Sequence, residues 1–408
     1  IILCVSFTGC MENYLDLYPE DKITSASFPE NESDIKLLLN GVYAQLREKE
    51  VYNQGLFGFG ITDGATPNAF NWGTDEVFNK LGAGRLSSSD GGVVTYRWKR
   101  CYEIISRANY LLACMDLVDL SEEAKAKYSG ETHFLRGLAY SVLAETYGGV
   151  PIILTNISTE EARSLKRASL EETWQQALDD YEVAITNLGV DAPEPGRATK
   201  GAALGMKMRA YLYQGKYKEV LSCVEQIDAL KKYGLFHSYE GLFDPANENN
   251  KEVLFDIQYI EGENSQGSYI DQYCGTGTGS WTRGSRYVPT DDLVAAYETI
   301  DGSPVDPENP YENRDPRLGF TAVLPGSYFL GYRFPNYLYP GGAFNHAGNR
   351  LKHLSTRKYR IQDESKLPPS GQSYINDIIL RYADVLLSKA EAIIETNGSV
   401  ADAIAILN

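Results

Sequence analysis

The groups in this 408-residue chain with chemistry to offer are four histidines, six cysteines and 55 carboxylates. None of His133, His237, His346 and His353 falls in a His-Glu-x-x-His pattern. His346 and His353 stand seven apart in a Gly/Asn-rich stretch, which is not a metal-binding spacing, so surface or hydrogen-bonded histidines are the expectation. Cys4, Cys10, Cys101, Cys114, Cys223 and Cys274 make no Cys-x-x-Cys pair, so zinc-ribbon and thioredoxin-type chemistry is excluded. Cys101 and Cys114 fall on one predicted helix, too far apart to bridge. No Gly-x-Ser-x-Gly elbow or Walker loop occurs, and Gly275-Thr276-Gly277-Thr278-Gly279 lacks a following helix and reads as a loop. Asp301–Glu312 has the length of a calcium loop, but Asp306 stands where its sixth-position glycine belongs and three prolines interrupt it. A glycosidase needs two carboxylates facing one bond, and no spacing singles out such a pair. The expectation is a protein without catalysis, metal or cofactor.

Binding chemistry is better represented. Sugar rings pack their C–H faces on aromatic planes while Asn, Asp, Gln and Arg satisfy the hydroxyls. Trp98 and Trp174 fall on helical stripes and read as core; Trp72 and Trp281 lie in polar, Gly-rich stretches that need no core residue. Trp72 follows Asn71, and Trp281 has Tyr273 before it and Arg283 after it. The expected ligand platform is therefore Trp72, Trp281 and Tyr273, with Asn71 and Arg283 as polar partners. The alternative is that these residues anchor loops or meet a partner protein. The 29 tyrosines suit either a wet recognition surface or Tyr-rich helix packing.

A formal charge of −17 and no dense Lys/Arg stripe exclude nucleic acid as a partner. The opening residues, with Thr8-Gly9 before Cys10, read as the end of a signal peptide (residues 1–9) and a lipobox, Cys10 being lipidated. Phe7 stands where an aliphatic residue is usual, and a buried N-terminal strand is the alternative. Acyl chains bury about 0.8 kcal/mol per CH₂, so two or more anchor a protein to a membrane. The last residues run in an apolar-periodic helix without a stop signal, so a chain cut at both ends is expected.

The elements carrying these residues are mostly helical. Apolar stripes run along Ile35–Leu46, Trp98–Leu112, Leu135–Thr146 and Leu170–Leu188, the last opened by a Ser169/Glu172 capping box. Residues 202–230 read as two helices around Gly215-Lys216-Tyr217, a tetratricopeptide-like unit, and the pattern recurs from Tyr382 to the end. Three insertions shift in composition: Gln54–Gly92, Glu261–Gly284 and Asp301–Gln372. Residues 251–259 alternate as a short strand through Val253, Phe255, Ile257 and Tyr259. Long loops on a rigid scaffold are the usual seat of binding residues.

Several motifs, in chain order, resemble the SusD/RagB family of outer-membrane nutrient-binding lipoproteins. They are Cys10 with Tyr14-Leu15-Asp16 and Pro19-x-Asp21-x-Ile23-Thr24; Trp98-x-x-x-Tyr102-x-x-Ile105-x-x-Ala108-Asn109; and Glu131-x-x-Phe134-Leu135-Arg136-Gly137-x-Ala139-Tyr140 leading to Tyr147-Gly148-Gly149-Val150-Pro151. Gly196-Arg197-Ala198-Thr199-Lys200, Asn313-Arg314-Asp315-Pro316-Arg317-Leu318 and Arg381-Tyr382-Ala383-Asp384-Val385-Leu386 complete the series. The resemblance implies a mainly α fold with four tetratricopeptide-like helix pairs and long insertions carrying short strands. The single body would span residues 10–408, with an N-terminal part of about 10–230 and a C-terminal part of about 231–408. It also implies a lipid anchor in the outer membrane facing the exterior, a SusC-type TonB-dependent transporter as partner, and an oligosaccharide ligand. Peptide capture, or service as a transporter lid with little binding of its own, are the alternatives. The acidic run that often follows the lipidated cysteine in the family is reduced to Glu12. Arg136, Arg197, Arg314 and Asp315 are read as ion-pairing or capping residues.

Overall fold

The computed structural model describes residues 28–47, 63–71, 80–87, 89–260, 267–268, 287–329, 332–333, 354–361, 363–368 and 372–408. Long helices form where side-chain caps meet apolar stripes. Helix α1 (Glu32–Ala44) starts at Asn31, whose Oδ1 accepts from the Asp34 N–H at 3.2 Å. Helix α2 (Val93–Cys114) leads into α3 (Glu122–Tyr147), capped by Ser121. A short α4 (Thr159–Ser164) precedes α5 (Leu170–Asn187), where Ser169 and Glu172 cap each other's backbone in the predicted box. Helices α6 (Lys200–Tyr213) and α7 (Tyr217–Ala229) form a hairpin whose turn needs Gly215 at φ +66°.

The chain returns later with the short helices α8 (Asp291–Ala296) and α9 (Arg317–Thr321), then α10 (Tyr382–Glu395) and α11 (Val400–Leu407). In space the long helices pack in series: α1 on α2 and α3, α2 on α3, α3 on α5, α5 on α6, α6 on α7, α7 on α10, and α10 on α11. Helix α3 is the centre of this stack and is buried on most sides from Tyr128 to Ala144. Gly137 lets it approach α5, for a Cβ there would stand 3.1 Å from the Ala177 carbonyl oxygen.

Buried polar groups tie these helices together. The Arg136 guanidinium donates to both carboxylate oxygens of Asp180 (2.7 and 3.0 Å) and to Asn109 Oδ1 (2.8 Å). Asn109 in turn donates to the Ile153 carbonyl at 2.9 Å, so α2, α3, α5 and the segment after α3 share one network. Arg197 pairs with Glu131 and Glu194, and Arg314 donates to the carbonyls of Val294, Tyr297 and Pro310. Asp315 accepts the Arg317 backbone N–H at 2.9 Å, so all four motif residues pair with or cap nearby groups. Cys101 and Cys114 both lie on α2, free and buried.

Strands are short. β1 (Ala69–Asn71) pairs with β3 (Tyr287–Pro289), and β2 (Val253–Ile257) with β8 (Asp377–Arg381). β4 (Ala322–Val323) pairs with β7 (Ser355–Thr356), and β5 (Tyr328–Phe329) with β6 (Tyr332–Arg333). The sequence alternation over 251–259 points to one buried face, but Leu254, Phe255, Asp256 and Ile257 are all buried. Register shifts along β2–β8 and helix packing on the other side explain this: Phe255 meets Phe134 of α3 edge-on at 4.8 Å.

Candidate ligand-binding face

Short strands gather the three insertions. Asn71, the last residue of β1, pairs with Tyr287, the first of β3, and Ala69 pairs with Pro289. Thr290 strengthens the join by donating its N–H to the Asn68 carbonyl at 3.1 Å and its hydroxyl to that of Pro67. β3 lies against β7, which pairs with β4 through Ala322↔Thr356 and Val323↔Ser355. The first insertion is thus joined by backbone hydrogen bonds to the segment just after the second, and that segment lies against β7 of the third.

Of the expected site residues, Asn71 is placed in β1 with its backbone against Tyr287. Trp72, which follows it, and Tyr273, Trp281, Arg283 and the expected lipidation site Cys10 lie outside the described residues. The β1–β3 pairing sets Asn71 beside Tyr287. Phe70, in the middle of β1, keeps 37% of its surface exposed, whereas Val288 opposite it is buried. Trp174 is a core residue, 6% exposed, and Trp98 is partly buried against the core, edge-on to Tyr147.

Sequence reasoning passed over a cleft of about 360 Å³ near these roots, between β8, α6, α10 and the turn after β7. Two of its cations are already partnered. Arg209 pairs with Asp384 and donates to the Ile379 carbonyl at 3.0 Å; Arg381 pairs with Glu252 at 2.8 Å. Asp63, Lys358 and Asp377 also line it. Burial raises Asp63, and it raises Asp377 to about 7 with help from the Asp256 and Asp63 charges. Burial lowers Lys358. Behind the ribbon, Asn376 donates to Asp256 (3.2 Å), and its backbone N–H donates to Glu248 (2.7 Å). Burial still lifts these acids, Glu248 to about 7 and Asp256 to about 6. No motif marks Asp63, Lys358 or Asp377, which come from three separate segments of the chain. Among the described residues no group of His, Cys, Asp and Glu is arranged to hold a metal, and no helix is long and apolar enough to cross a membrane.

Known proteins resemble the chain along most of its length. The family model described as "Starch-binding associating with outer membrane" matches residues 13–212, and the one described as "SusD family" matches residues 251–408. A SusD-like protein of Formosa agariphila is 27% identical over 71% of this chain, which spans 57% of that relative's length. A crystal structure of a SusD-like carbohydrate-binding protein from Bacteroides fragilis superposes with a TM-score of 0.78 at 27% identity, covering 90% of this chain and 75% of that one. A second SusD-like protein of the same organism gives 0.79 at 26% identity, over 96% and 80%. With a mainly helical body of matching shape, and with both halves fitting models of one family in chain order, the protein belongs to the SusD/RagB family.

Proposed function

We propose that this protein is an outer-membrane lipoprotein that captures oligosaccharides and delivers them to a SusC-type TonB-dependent transporter, without performing chemistry on them. The observation that carries this reading is the β1–β3 join, which brings together the roots of two insertions rich in aromatic, Asn and Gly residues. The expected platform residues Trp72, Tyr273 and Trp281, with Asn71 and Arg283, all belong to those insertions. Family membership supports a glycan as ligand, and the lipobox-like Thr8-Gly9-Cys10 supports a lipid anchor at Cys10. In this reading the helix series, including its tetratricopeptide-like pairs, is the scaffold that holds the insertions and meets the transporter.

The test is a calorimetric titration of wild type, Trp72→Ala and Trp281→Ala with a glycan panel and a peptide pool. Loss of one stacked ring is expected to weaken glycan binding about five- to tenfold, given an aromatic contribution of about 1 kcal/mol. Peptide binding that both variants retain, with no glycan bound, points instead to peptide capture. No binding by the wild type to either class leaves the transporter-lid role.

A further inference from the structure

The cleft beside the insertion roots holds charges that the fold leaves unsatisfied. Among the described residues, the side chains of Asp63 and Asp377 accept no hydrogen bond and join no ion pair within 4.0 Å, although both are half-buried. Nor does the Lys358 ammonium pair with any carboxylate; it sits 4.4 Å from the centre of the Phe243 ring and 5.6 Å from that of Tyr359. Ring contacts and the Tyr239 hydroxyl compensate the ammonium in part, and its charge reaches Asp63 from beyond 4.0 Å, whereas Asp377 has no compensating charge of its own. Desolvating charge without a partner is costly, and groups perturbed in this way in a cleft are functional-site candidates. Tyr359 adds strain at the same place, holding φ at +57°, a region that bulky side chains rarely adopt.

What would satisfy the cleft follows from its charge. With Arg209 and Arg381 neutralised by Asp384 and Glu252, two acidic groups raised by burial face one ammonium, and a cationic ligand would favour their charged forms. A cation is drawn in, and the field of a body carrying −17 acts in the same direction. An ammonium between Asp63 and Asp377 makes charge-assisted hydrogen bonds, the strong class, while hydroxyls on the same ligand can accept from Lys358. An anionic sugar meets two like charges instead. We propose that this cleft is a second binding site, selective for a sugar residue bearing a free basic amine, with Asp63 and Asp377 as its acceptors. The sugar part rests on the glycan reading above; the amine part rests on the cleft alone.

The probes are an unacetylated glucosamine oligosaccharide, its N-acetylated counterpart, a neutral glucan and a lysine-containing tetrapeptide, each titrated calorimetrically into wild type, Asp377→Asn, Asp63→Asn and Lys358→Met. The free-amine oligosaccharide is expected to bind the wild type about tenfold or more tighter than the N-acetylated form. Either Asn variant should erase most of that ratio, and Lys358→Met should widen it by removing the repelling cation. Asp377→Asn replaces an unpaired carboxylate with a neutral isostere and is expected to melt no lower than wild type, so a lost ratio cannot be assigned to unfolding. Equal affinity for the two oligosaccharides, or a ratio untouched by both Asn variants, overturns the amine site while leaving glycan binding intact. Binding of the tetrapeptide with no saccharide bound overturns the sugar assignment and the glycan reading together.

Discussion

Arg136 shows how single residues hold this molecule together. Its guanidinium is almost fully buried and spans Asp180 and Asn109, so three helices depend on one side chain. Removing one member of a buried pair leaves the other charge uncompensated, which costs about 3–5 kcal/mol. Arg136→Ala is therefore expected to lower the urea midpoint of unfolding by that equivalent; a loss below about 1 kcal/mol would show Asp180 finding water or another donor. Arg136 was legible as a pairing residue because a lone arginine on an apolar helix must find a carboxylate or a carbonyl. Which carboxylate it finds was not legible, since Asp179 and Asp180 are equivalent in sequence and only the rotation of α5 against α3 chooses between them.

Among the elements, helices and strands differ in what the sequence discloses. Helix α5 announces its start with Ser169 and Glu172 and its buried face with Trp174, Ala177, Leu178 and Tyr181, all local signals. β1 and β3 are three residues each, too short for an alternation to register, and they pair across most of the chain. That ribbon separates binding from folding. Val288 is 2% exposed within it, so Val288→Asp forces a charge into the join while leaving the helix series untouched. The expected result is glycan affinity reduced about tenfold or more with helical circular dichroism at the wild-type level. Unchanged affinity in a folded variant would detach the ribbon from ligand binding.

The whole molecule responds to pH through its buried acids. Asp377 and Glu248 are raised to about 7 and Asp256 to about 6, all chiefly by burial, whereas in an unfolded chain such groups ionise near pH 4. Between those values the native state binds more protons than the unfolded state, so these groups contribute stability at low pH that is lost as pH rises toward 7. Asp90 and Asp301, lowered to about 2 by Lys80 and Ser87 and by Ser303 respectively, act the other way and only below that window. Thermal midpoints measured from about pH 5 to about pH 8 should fall with pH less steeply in Asp377→Asn than in wild type. Parallel curves would show that Asp377 titrates normally.

At this scale the mainly helical class and the family were readable, because the motifs recur in order and the caps are local. The second cleft was not, since Asp63, Lys358 and Asp377 come from three separate segments. Trp72 and Trp281 stand out in the sequence only as rings that no helical stripe could bury.

If glycan binds at the β1–β3 join, hydrogen–deuterium exchange with and without a bound oligosaccharide will report it there. Slowed exchange is expected in residues 69–79 and 269–289, with the helices α1 to α7 unchanged. Protection confined to those helices, with both insertion segments exchanging as in the free protein, would contradict it.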